Sequence, residues 1–149
     1  MIIKEMDKQQ VQALLSSNRL GRLACVNDGR PYVVPITFTF SGNFLYSFSM
    51  PGQKVEWMRL NPKVCVQVDE FGQGREWKSA LVNGVYEELP DRVGYKNLRE
   101  RAWSLLSQHA NWWEPGGLKP VTLPVASAAS HLFYRIAIDN ITGRQAIED

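Results

Sequence analysis

Residues 47–54, Ser-Phe-Ser-Met-Pro-Gly-Gln-Lys, combine groups that together suit a phosphate. Ser47 and Ser49 bring hydroxyls, Gly52 lets a backbone approach closely, and Gln53 and Lys54 open a helical pattern. The N-terminus of a helix presents unpaired N–H groups and a partial positive charge, which attract an anion. Taken alone, the same residues also suit a glycine-containing turn with a solvated lysine. The strand upstream adds an odd feature. Pro35 stands within a run of β formers and cannot donate to a ladder, so the strand is at an edge or bulged there. Something other than a neighbouring strand can then face its backbone.

These groups are held by a chain whose pattern is mostly that of strands. Leu23 and Cys25 lead into the turn Asn27-Asp28-Gly29, residues 32–40 form a second strand, and Ser41-Gly42-Asn43 closes a hairpin into residues 44–48. A short helix covers residues 53–60 and stops at Asn61-Pro62, because a proline disfavours helical backbone in the residue before it. Val64, Val66 and Val68 alternate with Cys65, Gln67 and Asp69, and residues 77–88 form another strand interrupted by Gly84. Ahead of the strands, Asp7 and Gln10 make a capping box, Met6 faces Val11 as a staple, and Val11, Leu14 and Leu15 give the helix one apolar face. A longer helix is expected over residues 92 to about 108, and a last strand over residues 132–141, with Thr142-Gly143-Arg144 following it. The class is mainly β with helices, an antiparallel sheet long enough to close into a barrel.

Composition narrows the function. With 149 residues, 44% of them hydrophobic, the chain is read as one domain, residues 1–149, with a real core. Lys and Arg total 17 against 15 for Asp and Glu, a balance that does not suggest a nucleic-acid surface, which needs clustered basic residues. No apolar run reaches the ~18 residues of a membrane span, and residues 1–5 hold no signal-peptide core, so a cytoplasmic protein is expected. Two cysteines and two histidines are too few for a disulfide scaffold or a zinc site.

Gly21-Arg22-Leu23-Ala24, then residues 28–36 (Asp-Gly-Arg-Pro-Tyr-Val-Val-Pro-Ile), Leu45-Tyr46, Gly52-Gln53-Lys54 and Asn61-Pro62-Lys63-Val64 fall in one order and spacing. As a set they resemble the pyridoxamine 5′-phosphate oxidase-like, FMN-binding split-barrel superfamily, and within it the small flavin-nucleotide-binding proteins that include the nitroimidazole-resistance group. The resemblance spans roughly residues 7–88, with a weaker echo from Tyr134-Arg135-Ile136 to Thr142-Gly143-Arg144. It implies an antiparallel six-stranded Greek-key barrel with flanking helices, and a homodimer holding FMN in grooves at the subunit interface. It further implies that Val34, Pro35, Ile36 and Thr37 lie along the isoalloxazine. Ser47, Ser49, Gln53 and Lys54 would then hold the ribityl chain and phosphate, and Ser79, five positions before Gly84, would touch the cofactor.

The chain also departs from that pattern. The oxidase carries arginines where this chain has Val34 and Gln53, which weakens a phosphate site because charge-assisted contacts are about twice as strong as neutral ones. The oxidase's C-terminal substrate signature is missing, so pyridoxamine phosphate is not the expected substrate. Where nitroimidazole-resistance relatives often carry a histidine, the nearest residue is Phe48.

The resemblance thus leads to an FMN protein that passes electrons from NAD(P)H to a small acceptor, with no general acid or base assigned. A flavin carrier or sensor would use the same residues, and a haem-binding barrel would need His109 or His131, neither in the expected groove. Trp112 and Trp113 stand in a Gly-Pro loop; either could stack on the flavin, Trp113 being taken as the contact, or the pair could plug the interface. Cys25 and Cys65 are read as core thiols.

Overall fold

The computed structural model describes residues 1–109 and 132–149. In chain order the elements are β1 (Ile2–Glu5), α1 (Lys8–Ser17), β2 (Leu20–Asn27), β3 (Arg30–Ser41), β4 (Phe44–Ser49), α2 (Gln53–Leu60), β5 (Lys63–Phe71), β6 (Trp77–Leu89), α3 (Lys96–Leu106) and β7 (Leu132–Ile147). Local chemistry explains most of their ends. The Gln10 N–H donates to Asp7 Oδ1 and the Asp7 N–H to Gln10 Oε1, both at 2.8 Å, which completes the capping box of α1. Asp28 (φ 51°) and Gly29 (φ 74°) make the two-residue turn between β2 and β3, matching the left-handed conformation such hairpins require.

All seven strands join one antiparallel sheet in the order β1-β7-β4-β3-β2-β5-β6, and β6 also pairs with β7. Six strands therefore close a barrel, while β1 lies outside it on the far half of β7, from Ile2 opposite Ile147 to Glu5 opposite Arg144. Strands β2, β3 and β4 follow one another, and β5 returns through α2 to lie beside β2, which is a Greek key. Inside the barrel Leu23, Ile36, Phe38, Leu45, Val66, Val82 and Ile136 pack with Val11, Leu14 and Leu15 of α1 and with Met58 of α2. A second cluster, Tyr46, Phe48, Leu89 and Phe133, is covered by Ala102 and Leu106 of α3.

Four expectations need correction. The strand β1 was not foreseen; it is four exposed residues that pair with a strand from the other end of the chain. Helix α3 begins at Lys96 rather than residue 92, because Gly94 takes φ 98° and the preceding residues turn, with the Tyr95 N–H donating to the Arg92 carbonyl. Strand β7 runs on to Ile147, so Thr142, Gly143 and Arg144 lie within it, all three paired with β6 and Arg144 also with β1. Cys25 is a core thiol, but Cys65 is only half-buried, in the alternate set to the core residues Val64 and Val66.

Candidate functional site

The site grows out of the hairpin of β2 and β3. Its two-residue turn makes Asn27 and Arg30 a hydrogen-bonded pair, and antiparallel pairs alternate from there. Tyr32, Val34 and Ile36 therefore turn their backbone groups toward β2, as Phe38 does in donating its N–H to the Arg19 carbonyl at 2.8 Å. Pro31, Val33, Pro35 and Thr37 turn theirs the other way. On that side β4 pairs only with Phe38 to Ser41. Residues 30–36 thus have an edge with no strand opposite among the described residues, and both prolines fall in the set that faces it; from Thr37, whose carbonyl accepts from Ser47, β4 takes over.

Helix α2 packs against the β2–β3 hairpin, beside the split where β4 departs from β3. Trp57 packs on Tyr32 with ring centroids 5.4 Å apart, Asn61 Nδ2 donates to the Val26 carbonyl at 3.2 Å, and Val55 and Met58 are buried. These contacts bring Lys54, in the first turn, to the corner between β4 and the open edge, where only 8% of it remains exposed. Burial pushes the Cys25 thiol above its ordinary value, and the nearby Lys54 ammonium lowers it in part. Gly52 caps α2 without a side-chain hydrogen bond.

The residues singled out from the sequence divide accordingly. Val34, Pro35, Ile36, Thr37, Ser47, Ser49 and Lys54 are gathered on β3, the end of β4 and α2, and Gln53 lies exposed beside them. Ile36 is buried and Val34 packs against the core, so neither presents its side chain or its backbone groups to the edge. The Ser47 hydroxyl donates to the Thr37 carbonyl and the Ser49 hydroxyl to the Met50 carbonyl, both at 2.7 Å, which holds the corner's backbone in place. Ser79 stands apart on β6. The Gln67 carboxamide donates to its hydroxyl and to Asp69, each at 3.0 Å, and Asp69 pairs with Arg22 at 3.4 Å. Trp112, Trp113 and His131 lie outside the described residues. His109 follows α3, where burial and the charge of Arg19 hold its imidazole below the ordinary value.

Sequence reasoning missed Thr39, which is 7% exposed and whose Oγ1 has no hydrogen-bond partner among the described residues. It shares the outward-facing set of β3 with Pro35 and Thr37, just beyond the open edge. Nothing in the local sequence marks it, since its burial comes from distant elements. Also unforeseen is a 540 Å³ groove around Ser79, lined by Glu5, Trp77, Leu81, Thr142 and Arg144 among others.

A six-stranded barrel opened along half of β3, with a lysine-bearing helix in the opening, is a split β-barrel. The chain matches the family model described as pyridoxamine 5′-phosphate oxidase over residues 7–145, and it belongs to that family. It is 50% identical over 146 residues to an uncharacterised protein of Rhizobium meliloti (strain 1021), covering 98% of this chain and 97% of that one. Among solved structures it is similar to a FAD-binding protein of Mesorhizobium loti, at 51% identity and a TM-score of 0.82, covering 99% of this chain and 100% of that one. A protein of Bacteroides thetaiotaomicron VPI-5482, assigned provisionally to 5-nitroimidazole antibiotic resistance, shares the fold at 20% identity and a TM-score of 0.74, with 97% and 89% covered. Among the described residues no helix is long and apolar enough to cross a membrane.

Proposed function

We propose that this chain binds the FMN portion of a flavin nucleotide along the open edge of β3, between two copies of the chain, and serves as an oxidoreductase drawing on NAD(P)H. The observation that carries the reading is the edge itself, residues 30–36 of β3 with no strand opposite among the described residues, beside a sheltered lysine. The Val33 N–H can donate to a flavin carbonyl, and the Val33 and Pro35 carbonyls can accept from the flavin's ring N–H. Proline at position 35 leaves no donor there to be stranded. Lys54, beside an α2 N-terminus that no side chain caps, is suited to the phosphate. The orphaned Thr39 hydroxyl fits the same polar ligand, since a buried hydroxyl without a partner costs free energy. The family and the FAD-binding relative at 51% identity support a flavin.

A second copy is part of this reading. Leu20 (49% exposed), Val26 (39%), Val33 (60%) and Leu81 (36%) stand on the outer faces of β2, β3 and β6. Exposed apolar residues on neighbouring strands of one sheet support an association surface. Ser79 stands on β6, away from the open edge of its own barrel, so in this reading its contact with a flavin would come from the other copy.

The flavin, when bound, supplies hydride and electron transfer. The chain's residues bind it, orient it and exclude water from one side. A cytoplasmic location is part of the same reading. A carrier or sensor binds flavin without turnover, so bleaching by NADPH separates the two. Purified protein is expected to retain added flavin through desalting and to shift its paired visible bands. Protein that leaves the flavin spectrum unchanged and elutes colourless overturns the reading.

A further inference from the structure

We infer that Pro35 tunes the cofactor: by withholding a backbone donor from the open edge of β3, it makes that edge favour the two-electron-reduced flavin over the oxidised one. This rests on the flavin reading above and adds a property of the same edge. Alternation from the hairpin turns the backbone groups of Pro31, Val33 and Pro35 outward, and two of these three residues have no N–H. Residues 31–36 therefore offer that side three carbonyls and a single donor, the Val33 N–H. The hydroxyls at the end of β4 add no donor. Ser47 gives its one hydrogen to the Thr37 carbonyl and Ser49 its own to the Met50 carbonyl, both at 2.7 Å, so toward a ligand each can only accept.

An edge so rich in acceptors is a poor match for an oxidised flavin, whose ring nitrogens N1 and N5 and ring carbonyls all accept as well. Reduction by a hydride, which the proposed activity draws from NAD(P)H as NAD(P)⁺ leaves, puts the hydrogen on N5 and turns that acceptor into a donor. A carbonyl edge pairs with the added N–H, whereas two facing acceptors repel. The edge thus holds the reduced form more tightly, and that differential affinity shifts the equilibrium toward it. The cofactor's reduction potential rises accordingly.

Position 35 can be altered without touching the ladder of the barrel. Pro35 stands opposite Arg22 of β2 as a non-hydrogen-bonded pair, so the nitrogen of residue 35 takes no part in that pairing. Pro35→Ala therefore breaks no hydrogen bond between β2 and β3 and returns one donor to the edge. Pro31 offers a comparison within the same set. It lies four residues nearer the hairpin turn, about 13 Å along the strand and further from the α2 corner.

Wild type, Pro35→Ala and Pro31→Ala are loaded with FMN, and their midpoint potentials are read by spectroelectrochemical titration at one pH. Wild type is expected at least about 30 mV above free FMN, which equals about tenfold tighter binding of the reduced form. Pro35→Ala is expected to lose most of that shift and Pro31→Ala to keep it. Anaerobic titrations with oxidised and with dithionite-reduced FMN should show that Pro35→Ala tightens the oxidised form, an effect that a merely structural role would not produce. A wild-type potential at or below that of free FMN, or the same potential in wild type and Pro35→Ala, overturns the tuning role and leaves the flavin reading standing. An equal loss in Pro31→Ala overturns the assignment to Pro35. No binding of FMN overturns both readings. Pro35→Val restores the same N–H on a strong β former and decides the question where the alanine variant fails to fold.

Discussion

Replacing Lys54 by methionine removes an ammonium and keeps an unbranched stem, so the packing of the first turn of α2 is largely preserved. Only 8% of Lys54 is exposed, and Val55 and Met58 anchor the helix independently of it. A hydrogen bond from a charged group contributes about 1.5–3 kcal/mol, and at about 1.4 kcal/mol per factor of ten its loss raises Kd roughly 10- to 150-fold. Calorimetric titration of wild type and Lys54→Met with the same flavin measures this directly. The structure supplies an internal control as well. Because Lys54 partly offsets the effect of burial on Cys25, the variant's Cys25 thiol titrates at higher pH, seen in thiolate ultraviolet absorbance. A Kd within about twofold of wild type, in a variant whose Cys25 titration does move, refutes the assignment of Lys54 to the phosphate.

Two further outcomes test the fold around the site. A Cβ at Gly84 would lie 2.7 Å from Ile136 Cγ2 and collide with the Ala137 carbonyl oxygen, so Gly84→Ala is expected to cost roughly 1–3 kcal/mol; an unchanged urea midpoint would show that β6 and β7 are not so closely joined. Glu88 Oε1 accepts from Arg59 Nε and from the Tyr86 hydroxyl, both at 2.7 Å. Burial alone would raise its carboxyl, but these hydrogen bonds and the charges of Arg59 and Arg92 outweigh that and hold it below the ordinary 4.5. The unfolded chain therefore takes up this proton first as pH falls, and the stabilisation, complete above about pH 4.5, is lost as pH drops through the folded value. Urea midpoints at about pH 6 and about pH 3.5 should differ less in Glu88→Gln than in wild type, and an equal difference would remove Glu88 from the account.

Much of the fold could be read locally. The capping box of Asp7 and Gln10, the Asp28-Gly29 turn and the stop at Pro62 each depend on residues a few positions apart, and each stands where the sequence placed it. The corner was legible for the same reason: Pro35 announces missing ladder donation, and Gly52 to Lys54 announces an anion-friendly helix start. The strand β1, the far half of β7 and the late start of α3 were not legible. A four-residue strand of exposed side chains exists because Arg144 to Ile147 lies beside it, and no local pattern records that.

What the sequence determined by itself is the barrel class, the elements that carry the corner and the residue types assembled there. Only the tertiary structure decided which groups face the opening. Alternation from the hairpin turns Ile36 toward β2 and leaves Val33, Pro35 and Thr37 outward. Closure of β6 onto β7 carries Ser79 to another side of the barrel, next to Trp77 and Arg144. Backbone direction and strand neighbours are set by pairings between residues as distant as Ile2 and Ile147, and such contacts leave no period in the sequence.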